Sequence, residues 1–239
     1  MNVIDIGIII IILFGAVLGF KRGFTKELVK ALGFIAVIVV AYFLKNPLST
    51  ILYENLPFFK FGLLKNMEIL NILLYEAIAF IICIAVLSIV LKILLLATSF
   101  FEKILNATII LGIPSKIAGA IVGLIYNYII VFLALYIISL IFVDNSYVLN
   151  SKYREPILNN TPLLSSLVDE SVKVINEFSD LKDKYNDKKV SESDFNYQAV
   201  ELFLKYNVIK PESLEKLIEE KKIDSFDNCL DLINKYKEN

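Results

Sequence analysis

Neither histidine nor tryptophan occurs among the 239 residues, and cysteine and methionine appear twice each. Without histidine, the commonest metal ligand and the side chain best suited to proton transfer near neutral pH are missing. Cys83 lies in an apolar run and Cys229 in a polar stretch, so neither has a ligand-like companion and no secreted-type disulfide framework exists. No phosphate-binding loop, nucleophile elbow or zinc-protease helix pattern is present. The expectation is a non-enzymatic chain with no catalytic residue, no metal site and no cofactor. An acidic tail without a basic, aromatic-interleaved surface also excludes nucleic acid as a partner.

What is abundant is apolar. Hydrophobic residues make up 57% of the chain, well above an ordinary soluble globule, which points to the lipid bilayer as solvent. The net charge of −1 hides two regions. Ten Lys/Arg stand against six Asp/Glu up to Val143, and fourteen against nineteen beyond it.

Four long apolar runs fill residues 1–143. Val3 to Phe20 is broken only by Asp5 and glycines and is followed, not preceded, by Lys21, Arg22 and Lys26, the reverse of a cleavable signal peptide, so it reads as an uncleaved span. Leu28 to Leu44 forms a second run, Ile69 to Ala97 a third and Ile117 to Val143 a fourth, and the third, at roughly 1.5 Å per residue, crosses a core of about 30 Å with some tilt. Between them, Lys45 to Glu68, with Pro47 and Pro57, reads as a loop lying on lipid, and Thr98 to Lys116 as an amphipathic interfacial helix ending before Pro114. From Asp144 the chain turns polar. Thr161 and Pro162 suit the start of an amphipathic helix, Lys182 to Ser193 a charged linker, and Phe195 to Lys205, Pro211 to Glu220 and Ser225 to Tyr236 three short helices. The expected architecture is all-α: a four-helix membrane domain over 1–143, an amphipathic helix and linker over 144–193, and a small soluble helical segment over 194–239.

Four spans put the loops after the first and third helices on one face, and the N terminus, the second loop and the tail on the other. Seven cations on the first face against five on the second favour a cytoplasmic first face, leaving the N terminus and tail extracytoplasmic. On that first face, Gly15 and Gly19 close the first helix while Gly119 and Gly123 open the fourth. Glycine at i and i+4 leaves a flat strip where backbones approach closely, within one chain or between copies of a homo-oligomer. Asp5, Asn71, Glu76 and Asn127 are the candidate polar groups inside the runs, beside Lys30 near the start of the second and Lys92 in the third. Asp5 and Glu76 have two readings, a first-turn acid that reaches the headgroups or an intramembrane functional site, and Lys92 lies too far along the helix to neutralise Glu76. Arg22 and Gly23 read as a topology anchor or a site for anionic lipid or a partner.

The motifs Asn2-Val-Ile-Asp5, Gly15-x-x-x-Gly19-Phe-Lys-Arg22-Gly23-Phe-x-Lys-Glu27 and Ile113-Pro-Ser-Lys-Ile-Ala-Gly119-Ala-Ile-Val-Gly123 together resemble the colicin V production protein family over about residues 1–143. The resemblance implies a multi-pass protein of the bacterial inner membrane, required for making or exporting a peptide toxin and involved in envelope homeostasis. It carries over Asp5, Gly15, Gly19, Arg22, Gly23, Glu27, Gly119 and Gly123, and leaves the tail from Asp144 outside. Two functions follow: a scaffold that recruits an envelope or toxin-export protein, or a small oligomeric channel or transporter using Glu76 and Asp5 in the absence of an evident neutralising cation.

Overall fold

The computed structural model describes residues 2–60, 67–97, 112–142, 148, 150–226 and 228–237. These residues form helices and connecting turns, with no strand among them. Four helices are long and apolar enough to cross a membrane: α1 (Val3–Arg22), α2 (Phe24–Asn55), α3 (Leu70–Ala97) and α4 (Gly112–Ile141). Five more follow: α5 (Arg154–Asn160), α6 (Leu164–Asn186), α7 (Glu192–Lys205), α8 (Pro211–Glu219) and α9 (Cys229–Lys237).

Local chemistry starts and stops the first hairpin. Asn2 and Asp5 make a reciprocal capping box at the start of α1, satisfying donors that a helix N terminus leaves open. Gly23 ends α1 and begins α2 with φ 79° and ψ 166°, a conformation that penalises any side chain. Its N–H still closes on the carbonyl of Gly19.

The lipid loop expected from Lys45 onward is corrected: α2 runs through Pro47 to Asn55. An interior proline removes one backbone hydrogen bond, which is tolerated where neighbouring helices over-determine the path. Tyr53 is buried and Glu54 is held by the tail. The fourth span is also longer at its start than its uncharged run. Gly112 to Lys116 belong to α4, with Pro114 in the first turn where its missing N–H costs nothing. The rest of the expected interfacial helix, residues 98–111, lies outside the described residues.

In the membrane layer α1 packs on α4 and barely touches α2, although the two are joined by a single residue, while α2 packs on both α3 and α4. The polar tail is built differently. Helix α6 begins at Leu164 rather than at Thr161, which instead ends α5, and it continues to Asn186, shortening the expected linker. Its buried positions Val168, Val172, Ile175, Phe178 and Leu181 recur at helical spacing. Phe178 meets Phe195 of α7 with ring centroids 6.1 Å apart, and Phe203, Leu214, Leu217, Leu232 and Ile233 complete an apolar core among α6 to α9.

Candidate functional site: a buried polar seam under the tail

Glu76 is one turn and a half into α3 and 5% exposed. It is neutralised by Lys45, itself 2% exposed, which corrects the expectation that no cation is at hand. One carboxylate oxygen of Glu76 accepts from the Lys45 ammonium, from the Tyr136 hydroxyl at 2.8 Å and from the Ser171 hydroxyl at 2.9 Å. Lys45 also donates to Tyr136 at 3.0 Å and faces the ring of Tyr42 at 4.9 Å. Four helices, α2, α3, α4 and α6, thus meet on one oxygen. Taking two charges out of water is costly, and satisfied hydrogen bonds around the pair are what make it tolerable.

Further polar contacts between the spans and the tail flank this cluster. Ser151 donates to Asp5 at 2.7 Å, so the acid of the first helix is tied to the tail and is 2% exposed. Arg154, 1% exposed, donates through Nε to Ser139 at 2.9 Å and through Nη1 to Asn176 at 3.1 Å, while its Nη2 is buried without a hydrogen-bond partner among the described residues. Tyr128 and Thr161 share a hydroxyl hydrogen bond of 2.9 Å. At the end of α2, Glu54 accepts from Ser213 at 2.9 Å and Lys216 at 2.8 Å, and Lys222 donates to the Glu54 carbonyl. Helix α2 thereby ends on a cation supplied by the tail, which complements its dipole.

The other polar residues singled out from the sequence do not join this cluster. Asn71 is fully buried and holds the chain before α3, accepting from Phe59 N at 2.8 Å and donating to the carbonyls of Phe59 and Glu68. Asn127 donates to the carbonyl of Ile11 at 2.6 Å, joining α4 to α1.

At the opposite end the structure sets Gly15 against Gly123 and Gly19 against Gly119. A Cβ added at any of the four would meet backbone of the other helix inside the 3.0 Å that real Cβ atoms keep. Backbones at this range leave no room for lipid. Beside this seam Glu27 is 1% exposed and takes Arg22 at 3.2 Å and Lys30 at 3.6 Å, while Lys30 sits 3.7 Å from the Tyr126 ring centre. Phe24 N donates to Ser115 at 3.2 Å, tying the start of α2 to that of α4.

Lys45, Tyr136, Ser171 and Ser151 escaped the sequence reading. Lys45 lies at the end of an apolar run two residues before a proline, which reads locally as a helix stop. The signal that points to it is the unpaired Glu76, since a buried acid requires a cation from another helix.

Chemically this arrangement fastens. Every acid described inside the spans is engaged by hydrogen bonds or cations, and among the described residues no cluster of His, Cys, Asp and Glu is placed to hold a metal. Residues 4–162 match the family described as Colicin V production protein. The chain is 33% identical over 176 residues to the "Uncharacterized transmembrane protein YshB" of Bacillus subtilis (strain 168), covering 70% of this chain and 96% of that protein. No solved structure matches. The match runs past Val143 to include all of α5. With four helices long and apolar enough to cross a membrane and a family match covering about two thirds of its length, this chain belongs to the colicin V production protein family and is a multi-pass membrane protein.

Proposed function

We propose that the protein is a non-enzymatic scaffold of the bacterial inner membrane, whose four spans present a tail that recruits an envelope or toxin-export protein. The observation that carries this reading is the Lys45–Glu76 pair closed over by Tyr136 and Ser171. The acid in the third span is spent on fastening three spans to the tail rather than on lining a path for a solute. The family description supports a part in toxin production or export, and an envelope role is the broader form of the same reading. By the positive-inside rule the glycine-seam face, with Lys21, Arg22, Lys26, Lys30 and Lys116, is cytoplasmic and the tail extracytoplasmic.

Flux through proteoliposomes containing the purified full chain tests the proposal. Proton and potassium flux is expected to equal that of protein-free vesicles for both the parent and Glu76→Gln, while Glu76→Gln lowers the thermal midpoint. Flux in the parent that Glu76→Gln abolishes would overturn the scaffold in favour of a channel. In cells, removing residues 187–239 is expected to reproduce the envelope phenotype of a full deletion while the shortened chain still inserts.

A further inference from the structure

Helices α5 and α6 are not free of the membrane layer. The opposed glycine pairs, and the bond from Asn127 to Ile11 O, fix the antiparallel register of α1 and α4, so Tyr128 of α4 lies beside Ile10 of α1. Ile10 is seven residues into a span that begins at Val3, about 10 Å below its upper end at 1.5 Å per residue. Side chains lean toward the N terminus of their helix, which for α4 carries the Tyr128 hydroxyl deeper still. That hydroxyl bonds Thr161, at the end of α5.

Two more contacts fix the slope of the hairpin. Arg154 at the start of α5 bonds Ser139 near the upper end of α4, and Ser171 bonds Tyr136 and Glu76 after two turns of α6. The drop along α4 from Ser139 to Tyr128 is about 16 Å, of which the seven-residue α5 spans about 10 Å and the Arg154 side chain, leaning toward the N terminus of α5, reaches the rest. The return to Tyr136, about 12 Å, is close to the rise from Leu164 to Ser171, about 10 Å. The segment therefore descends along α4, turns at Thr161 to Leu163, and climbs out again.

The sequence agrees independently of these contacts. Residues 156–168 contain no Asp, Glu, Lys or Arg, and charge resumes with Glu155 on one side and Asp169 on the other. At the turn Leu163 is 80% exposed on backbone with φ 66°, a conformation unfavourable for a branched side chain. An exposed leucine held on strained backbone gains nothing in water and gains in hydrocarbon. Asn159 and Asn160 are exposed on α5, whose N terminus is uppermost, so their amides lean toward the interface.

We infer that residues 154–168 form a re-entrant helical hairpin whose turn at Leu163 contacts the acyl chains of the bilayer. The tail is thus anchored in the membrane by its own hairpin as well as by the polar seam. Backbone turns at that depth are tolerated only against protein, and here α4 supplies the cover.

The chain's lack of tryptophan makes the test direct. Single-tryptophan variants Leu163→Trp, Ser166→Trp and, as a control in α9, Leu230→Trp are reconstituted as full chains in vesicles with or without lipids brominated along the acyl chain. Leu163→Trp is expected to emit at blue-shifted wavelength, to lose most of its emission to brominated lipid and to resist aqueous acrylamide; Leu230→Trp should show the reverse. Ser166→Trp, at an exposed site one turn away, should follow Leu163→Trp and decides the matter if that variant aggregates. Acrylamide quenching at both hairpin sites equal to that at Leu230→Trp, with no effect of bromine, would overturn the inference.

Discussion

The two ends of the membrane domain are held together by opposite means. At the end with the α1–α2 turn, α1 and α4 meet backbone to backbone through four glycines, and the contact depends on the absence of side chains. At the end under the tail, Lys45, Glu76, Tyr136, Ser171, Asp5 and Ser151 meet side chain to side chain, and the contact depends on every donor finding its acceptor. The first kind of seam fails when volume is added; the second fails when one partner is removed. A glycine seam joins two elements only, whereas Glu76 alone fastens four.

Lys45→Met should break the polar end most severely. It strands a buried carboxylate, which costs about 3–5 kcal/mol, whereas replacing the pair together, Lys45→Met with Glu76→Leu, should restore most of that loss. Thermal unfolding of the two variants in the same detergent checks this, and equal loss in both would show that the pair is not an electrostatic unit. Gly119→Ala should damage the other end by about 1–3 kcal/mol or more, because the added methyl meets the backbone of Gly19 and Gly23 and neither can rotate away. A disulfide engineered between α1 and α4 should then form poorly in Gly119→Ala and normally in Lys45→Met; the same yield in both would dissolve the distinction between the ends.

Smaller effects are expected where the tail meets water. Glu54→Gln weakens the hold on Ser213 and Lys216, the latter 45% exposed, and should cost at most about 1 kcal/mol, seen as faster hydrogen exchange in α8 with α1 to α4 unchanged. Smallest is Glu177, whose carboxyl is held below its ordinary 4.5 chiefly by the Tyr206 hydroxyl, with burial opposing and Lys205 adding to the effect. A depressed carboxyl contributes stability above its unfolded value and loses it as pH falls through the folded value. Acidification below about 4.5 should therefore loosen α6 against α7, by under about 1 kcal/mol because the group is 41% exposed, and Glu177→Gln should flatten that response in a pH series of melting curves.

The four spans are legible in the sequence because lipid demands long, predominantly apolar runs and the chain supplies four. The glycine spacing is legible as a flat strip, but spacing alone does not say whether two strips meet within a chain or between chains. The polar seam is not legible for a different reason. Its members come from residues 5, 45, 76, 136, 151 and 171, and no local pattern links a serine in an amphipathic helix to an acid 95 residues earlier. Pro47 misleads in a specific way: it signals a helix end in water, yet neighbouring helices and the tail carry α2 eight residues beyond it. Similarly, the hydrophobic pattern of α6 is a single stripe that serves both a membrane contact at Ser171 and a polar-tail core at Phe178, and periodicity does not tell the two apart.

The pairing of α1 with α4 also bears on how the protein is made. A ribosome adding about 5–20 residues each second needs roughly 5–20 s to travel from one glycine pair to the other, about a hundred residues away. Throughout that interval the first helix is already inserted, its groove is open to lipid, and α2 offers it little contact. The newborn chain therefore passes through a stage in which its first span is an unclaimed half-interface, completed only when its own fourth span arrives.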